Sequence, residues 1–406
     1  MKWFSKRDIY SLIHPPTFLG AVLLAFVGMS YFGYVVGNQN FYHRFVRWHE
    51  GINPQSYFYL TARQMIAIAK SRCKKDQILV LVGGNSILFG GGQAERDVWT
   101  NHLQELLGEK YCVINFGLRG ARFSEGTANI LDSLSHDFKV IYLTNEVDYG
   151  YEQILRVWKK LNIEEPYVYL FYDAYYKGLL PEDKKDEFFK IAYFHNLKKE
   201  RLEEIKYGMW LDSLFYGFDA WGYVGYQYFF PVWTSLTKGF KPRSQTTDRL
   251  EWPLAPVDQR FKNEMDHHLS VIKEQLDPLF EQSLTQEWIP AEKGWEKFRM
   301  VSELAVSKNL RQQTLALVTD YDPYFWDYLP SSYKERSMRS RLFAVKMLQK
   351  LGYHAMRIGE DFMVEDFKDT MHFSPSGGRK MAEKVAPEIK QMAYDLGYER
   401  TNDAMD

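Results

Sequence analysis

The stretch Ile78-Leu79-Val80-Leu81-Val82-Gly83-Gly84-Asn85-Ser86-Ile87-Leu88-Phe89-Gly90 decides how the chain folds. Its unbroken aliphatic run, Ile78 to Val82, reads as a strand buried on both faces, as in a parallel sheet. Gly83 and Gly84 then let the backbone turn, and Ser86 emerges where strand gives way to helix. The carboxyl end of a parallel strand is where open α/β sheets bind their ligands. On these residues alone, Ser86 is either a helix cap or a functional side chain.

Working outward, the same rhythm recurs. Strands are expected at 78–82, 112–115, 140–143, 314–319 and 353–358. Helices are expected at 61–70, 96–107, from a Ser124 cap to about 134, at 292–308 and at 333–351, with a last one after Ser374-Pro375-Ser376-Gly377-Gly378. Alternating strands and helices predict an α/β fold, a doubly wound parallel five-stranded sheet. The rhythm breaks between 151 and 289, where helices are expected near 152–161, 185–206 and 259–282. This large helical insertion contains an aromatic-dense segment, 209–236, with Trp210, Phe215, Tyr216, Phe218, Trp221 and Tyr223 among its rings. Asp219, several glycines and Pro231 argue against a second spanning helix there. The insertion is either a cap on the core or a membrane-interfacial or partner-binding lobe.

Residues 18–36 carry no charge and follow Lys2, Lys6, Arg7 and Pro15-Pro16. As a helix they span about 28 Å, enough for a bilayer core. Tyr31 and Tyr34 stand toward the far end, where interfacial aromatics gather. A cleaved signal peptide would have a shorter apolar region and a small-x-small cleavage site, which does not follow Val36. One N-terminal transmembrane helix is therefore expected. Its basic N-terminal flank favours a cytoplasmic N-terminus, although Arg44 and Arg47 lie on the other side. The expected organisation is a cytoplasmic N-terminus at 1–17, an anchor at 18–36, a connecting segment at 37–74, a core from 75–150 and 290–400, and the insertion at 151–289.

The net charge of −1 and the lack of a Lys/Arg tract argue against a nucleic-acid partner. Cys73 and Cys112 are too few for a Cys-rich zinc site. They precede the first two strands, close enough either to form a disulfide or to remain as two free thiols. His267 and His268 are adjacent, so on a helix they diverge and chelate poorly. Gly90-Gly91-Gly92 lacks the following Lys-Ser/Thr of a phosphate loop, and no cofactor is expected.

Four segments fall at strand ends or before the last helix. They are Gly84-Asn85-Ser86, Asn115-Phe116-Gly117-Leu118-Arg119-Gly120, Thr144-Asn145-Glu146 and Asp369-Thr370-Met371-His372. Together they hold an acyl-transfer kit: a serine, a histidine to take its proton, an aspartate to orient the histidine, and amide donors for an oxyanion. In order and placement they resemble the SGNH (GDSL-type) hydrolases, an esterase superfamily with a flavodoxin-like sheet. The resemblance implies Ser86 as nucleophile, Asp369 and His372 as the rest of the triad, and Ser86, Gly120 and Asn145 as oxyanion donors. Asn85 replaces the family's usual aspartate, and Leu143 stands where its third block has glycine.

An anchored SGNH domain with a large insertion is similar to the proteins that accompany membrane-bound O-acyltransferases in D-alanylation of lipoteichoic acid and O-acetylation of alginate. That resemblance implies a bacterial inner-membrane protein with its main domain in the periplasm. It implies an acylated glycan or cell-envelope polymer as substrate and a multi-pass O-acyltransferase as partner. Arg119 and Arg122 are either exposed surface residues or attractors of an anionic substrate. A non-catalytic assembly subunit on the same fold is the competing reading, motivated by the aromatic insertion and by Asn85 and Leu143.

Overall fold

The computed structural model describes residues 15–38, 60–93, 97–118, 121, 126–146, 171–172, 174–180, 199–224, 302–303, 306–323, 327, 331–369 and 371–399. The described elements begin with α1 (Pro15–Gly37), α2 (Ala62–Arg72), β1 (Ile78–Val82), α3 (Ser86–Phe89), α4 (Trp99–Leu107) and β2 (Tyr111–Asn115). A 3-10 turn at Gly126–Ile130 leads to α5 (Leu131–Ser135) and β3 (Lys139–Glu146). Helices α6 (Lys199–Phe215) and α7 (Gly217–Val224) follow, then β4 (Thr314–Thr319), α8 (Ser331–Lys350), β5 (His354–Ile358) and α9 (Pro375–Asp395).

All five strands are parallel, in the order β2-β1-β3-β4-β5. The chain leaves β1 toward one edge at β2 and returns past it to β3, which creates a switch point between β1 and β3. Every residue of β1 and of β4 is buried, so their aliphatic runs are explained by helices on both faces. Alternate residues feed opposite layers. Leu79, Leu81, Val140, Tyr142, Ala316 and Val318 pack with Met65 and Ile68 of α2 and with Ala344 and Leu348 of α8. Ile78, Val80, Val82, Ile141 and Leu143 pack with Trp99 and Leu103 of α4 and with Met381, Val385 and Ile389 of α9.

Local chemistry sets the helix ends. Thr61 accepts from the Gln64 amide while the Gln64 side chain accepts from the Thr61 N–H, a reciprocal cap that starts α2. Ser374 caps α9, and Pro375 opens it where a missing N–H costs nothing. The expected boundary after Gly378 is therefore too late: Gly377 and Gly378 lie inside the helix. They are glycines because a Cβ there would sit 1.9 Å from the Asp366 carbonyl oxygen and 2.5 Å from Gln93 Nε2, respectively. Strand β3 also runs past 143 to Glu146, because β4 pairs with it through Val318. The helix expected at 292–308 does not run to its expected end, since Val306 and Ser307 are not helical and a 3-10 helix begins at Lys308. The disulfide alternative is the one the structure adopts: Cys73 and Cys112 are bonded, their Cα atoms 5.6 Å apart.

Helix α1 is long and apolar enough to cross a membrane, and most of its surface faces outward. Its first turn takes in Pro15 and Pro16, which helices tolerate only at that end. The helix is not isolated. Phe26 meets Phe215 with ring centroids 4.2 Å apart, Tyr34 meets Tyr216 at 5.3 Å, and Phe32 meets Tyr223 at 5.4 Å. Gly33 permits this approach, since a Cβ there would lie 1.9 Å from the Tyr216 carbonyl oxygen. Beneath the contact, Lys177 Nζ lies 2.9 Å from Asp219 and 3.5 Å from Asp212, all three buried, and the Thr61 hydroxyl donates to Asp219. The expected helices at 152–161 and 259–282, the Ser124 cap, His267, His268 and aromatic positions 225–236 lie outside the described residues.

Candidate active site

Ser86 opens the four-residue helix α3, immediately after the β1 turn. Gly84 makes the turn with φ +76°, and a Cβ there would collide with Asn145 Oδ1 at 2.3 Å. Asn85 is buried and caps α3, its Oδ1 accepting from the Ile87 N–H at 2.9 Å. Ser86 itself is only partly covered, so its hydroxyl can be reached from outside.

Residues from the far end of the chain meet this hydroxyl. His372 Nε2 lies 2.7 Å from Ser86 Oγ. On the other side of the ring, Nδ1 lies 2.8 Å and 2.9 Å from the two Asp369 oxygens. An ionised carboxylate can only accept, so Nδ1 carries the proton and Nε2 presents its lone pair to the serine O–H. Asp369 is fixed in turn by the N–H groups of Met371 at 3.0 Å and His372 at 2.8 Å. Burial raises its pKa, but the hydrogen bond and charge of His372 and these two amides outweigh that effect and hold it at about 2. The carboxylate is thus charged at neutral pH, as an orienting partner for an imidazolium must be.

Asn145 projects from the end of β3 and is buried beside the turn. Its Oδ1 accepts from the Asn85 backbone N–H at 2.9 Å, and its Nδ2 donates to Asn85 Oδ1 at 2.9 Å. One hydrogen of the Asn145 amide is committed to this clasp, which leaves a second for an incoming oxygen. The Ser86 N–H, at the first position of α3, is the other expected donor among the described residues. Gly120 lies outside the described residues, as do Arg119 and Arg122.

The structure therefore brings Ser86, His372, Asp369 and Asn145 together at the switch point. Asn115 serves the site at one remove. Its Oδ1 accepts from Gly117 N–H at 2.9 Å and its Nδ2 donates to Leu88 O at 3.0 Å, pinning the β2 loop against α3. The sequence reading missed Gln93. This fully buried side chain accepts from Trp99 N–H at 2.8 Å and donates to the carbonyls of Phe373 and Ser374 at 3.3 and 3.4 Å. It ties the loop after Ser86 to the loop that carries His372. The only available signal was a polar residue closing the run Gly90-Gly91-Gly92, which is weak.

A second polar cluster closes the end of β4, where Asp320 is paired with Arg341 at 3.0 Å and Arg357 at 2.6 Å, all largely buried. Among the described residues, no group of three or more His, Cys, Asp or Glu is arranged to hold a metal ion. No protein family, no curated protein and no solved structure matches this chain.

Proposed function

We propose that the chain is an SGNH-type serine esterase or O-acyltransferase, held by α1 in a bacterial inner membrane with its main domain in the periplasm. Its substrate is an acylated glycan or cell-envelope polymer, and a multi-pass O-acyltransferase is the partner that fits this architecture. The observation that carries the reading is the continuous line from Ser86 Oγ through the His372 ring to Asp369. A buried disulfide adds weight to an oxidising compartment for the domain. The reading gives the insertion no catalytic part.

In this reading His372 Nε2 takes the Ser86 proton as Oγ bonds to the acyl carbon. Charge that develops on the carbonyl oxygen is met by the Ser86 N–H and the second Asn145 N–H, with Gly120 as the third donor. Collapse breaks the bond to the donor oxygen, which leaves with the proton from His372, and the acyl group remains on Ser86. Water, or a hydroxyl of the acceptor glycan, then gives its proton to His372 as it bonds to the acyl carbon, and the acyl–Oγ bond breaks as His372 returns that proton to Ser86. Asp369 stays ionised throughout and stabilises the imidazolium.

A fluorophosphonate probe tests this directly. The folded full-length protein should be labelled at Ser86, and Ser86→Ala or His372→Ala should not be. A wild-type protein that remains unlabelled, while circular dichroism shows it folded, would favour the non-catalytic assembly reading instead.

A further inference from the structure

Helix α6 changes character along its length. Its first half is rich in charge, with Lys199, Glu200, Arg201, Glu203, Glu204 and Lys206. From Tyr207 through Val224 the only charged residues are Asp212 and Asp219, and both are buried against Lys177. The outward surface of this half of α6 and of α7 is consequently uncharged and largely apolar. Tyr207 is 64% exposed, Trp210 44%, Leu214 52%, Phe218 38% and Trp221 58%. Water-facing surfaces of soluble domains rarely keep a run of large apolar side chains in one place.

What covers them is indicated by what they adjoin. The two helices meet α1 from Phe26, against Phe215 of α6, to Gly37, against Asp219 of α7, a length of about 16 Å, enough to reach from headgroup level well into one leaflet. In α1 that stretch belongs to the leaflet nearest the domain. Leu23, Leu24 and Val27, within one turn of Phe26 on α1, are exposed as well. Tyr207 and Trp210, with rings 5.7 Å apart, mark the change from charged to apolar surface along α6, where an aromatic belt is expected. At the level of Tyr34, the Arg63 guanidinium lies 4.6 Å from each of the Tyr34 and Tyr216 ring centroids, a cation at the height of phosphate headgroups.

We infer that the α6–α7 elbow is a second membrane contact. It enters the domain-side leaflet next to α1 without crossing, and its occupant is lipid. The inference rests on the reading of α1 as an anchor. It assigns the exposed face to the bilayer itself, and it gives the buried Lys177, Asp212 and Asp219 cluster the task of locking the elbow to the domain. Thr61, which binds Asp219, opens α2, whose other end at Cys73 is bonded to Cys112 near the start of β2, so α2 begins toward the carboxyl end of the sheet, the end that carries Ser86. The elbow therefore holds the end of the sheet that carries Ser86 close to the membrane surface.

Nitroxide labels on the full-length protein in phosphatidylcholine/phosphatidylglycerol nanodiscs test this. Separate Leu214→Cys, Trp221→Cys, Glu203→Cys and Leu24→Cys variants would be compared by collision with oxygen, which concentrates in lipid, and with a water-soluble nickel chelate. Labels at Leu214 and Trp221 should resemble the label at Leu24, with oxygen collisions dominant, and Glu203 should show the reverse. Nickel-dominated collisions at Leu214 and Trp221 beside a lipid-exposed Leu24 overturn the elbow alone. Protection from both reagents overturns it in favour of a protein partner. A water-exposed Leu24 removes the anchor and this inference together, yet leaves fluorophosphonate labelling of Ser86 unaffected.

Discussion

Asn85 and Asn145 hold each other through two hydrogen bonds of 2.9 Å, one from the backbone of Asn85 and one to its side chain. Asn85 Oδ1 must be an acceptor because it also receives the Ile87 N–H, so Asn145 must turn its Nδ2 toward it. The residue that departs from the GDSL pattern thus does two things an aspartate could also do: it caps α3 and orients the asparagine.

Asn85→Asp should therefore label with fluorophosphonate at a rate within a few-fold of wild type. Asn85→Ala should leave Asn145 free to turn away and lose about 10²-fold or more, the order of one oxyanion donor. Labelling rates with melting temperatures measured alongside separate a misaligned donor from a misfolded chain. Equal rates for Asn85→Ala and wild type would sink the idea.

Asp369→Asn should lower labelling or turnover by an order of 10⁴, because an amide in place of the carboxylate favours the wrong imidazole tautomer. The depressed pKa also has a stability consequence. The native carboxyl titrates at about 2 and the unfolded one near 3.9. Its contribution, on the order of 2–3 kcal/mol, is complete above about pH 5 and is lost as pH falls through about 2. Denaturant unfolding as a function of pH should show the gap between wild type and Asp369→Asn shrinking across that window.

The Cys73–Cys112 bridge closes a loop with a sequence separation of 39, spanning β1, the Ser86 turn and α4. In the chain-entropy account such a crosslink stabilises by about 4 kcal/mol. The double variant Cys73→Ser/Cys112→Ser should lose about 2–4 kcal/mol in a denaturant titration, the range typical of such bridges. Because β1 is a buried interior strand of the sheet, paired on both sides, the loss should appear as global unfolding and not as local fraying.

Gly377→Ala places a Cβ 1.9 Å from the Asp366 carbonyl oxygen, which itself accepts from Ser374 N–H at 2.9 Å. The backbone must shift, at a cost of about 1–3 kcal/mol. The shift falls beside Phe373 and Ser374, the carbonyls that Gln93 holds, so Ser86 labelling should slow as well as stability fall. Stability lost with labelling unchanged would show that the His372 loop is positioned without help from α9.

The sheet was legible because its strands are aliphatic runs at regular intervals, and Ile78–Val82 and Thr314–Thr319 match their expected limits. The meeting of Ser86, Asp369 and His372 was legible because they stand after the first strand and before the last helix. The clasp between Asn85 and Asn145 was not, since residues 60 apart in sequence give no periodic signal of pairing. Neither was the position of Gly377 and Gly378, which looked like a turn. The reason they are glycines is the closeness of Asp366 and Gln93, a tertiary fact. The packing of α1 against α7 was hidden for a similar reason: Gly33 in an apolar helix looks like any other small residue.

Ser86 and His372 are 286 residues apart, and the histidine arrives only with the segment that leads into α9. On the proposed reading, the nucleophile is thus synthesised long before its base. A nascent or truncated chain ending before that segment would bear an inert alcohol. In that reading, reactivity is deferred until the segment leading into α9 has been made.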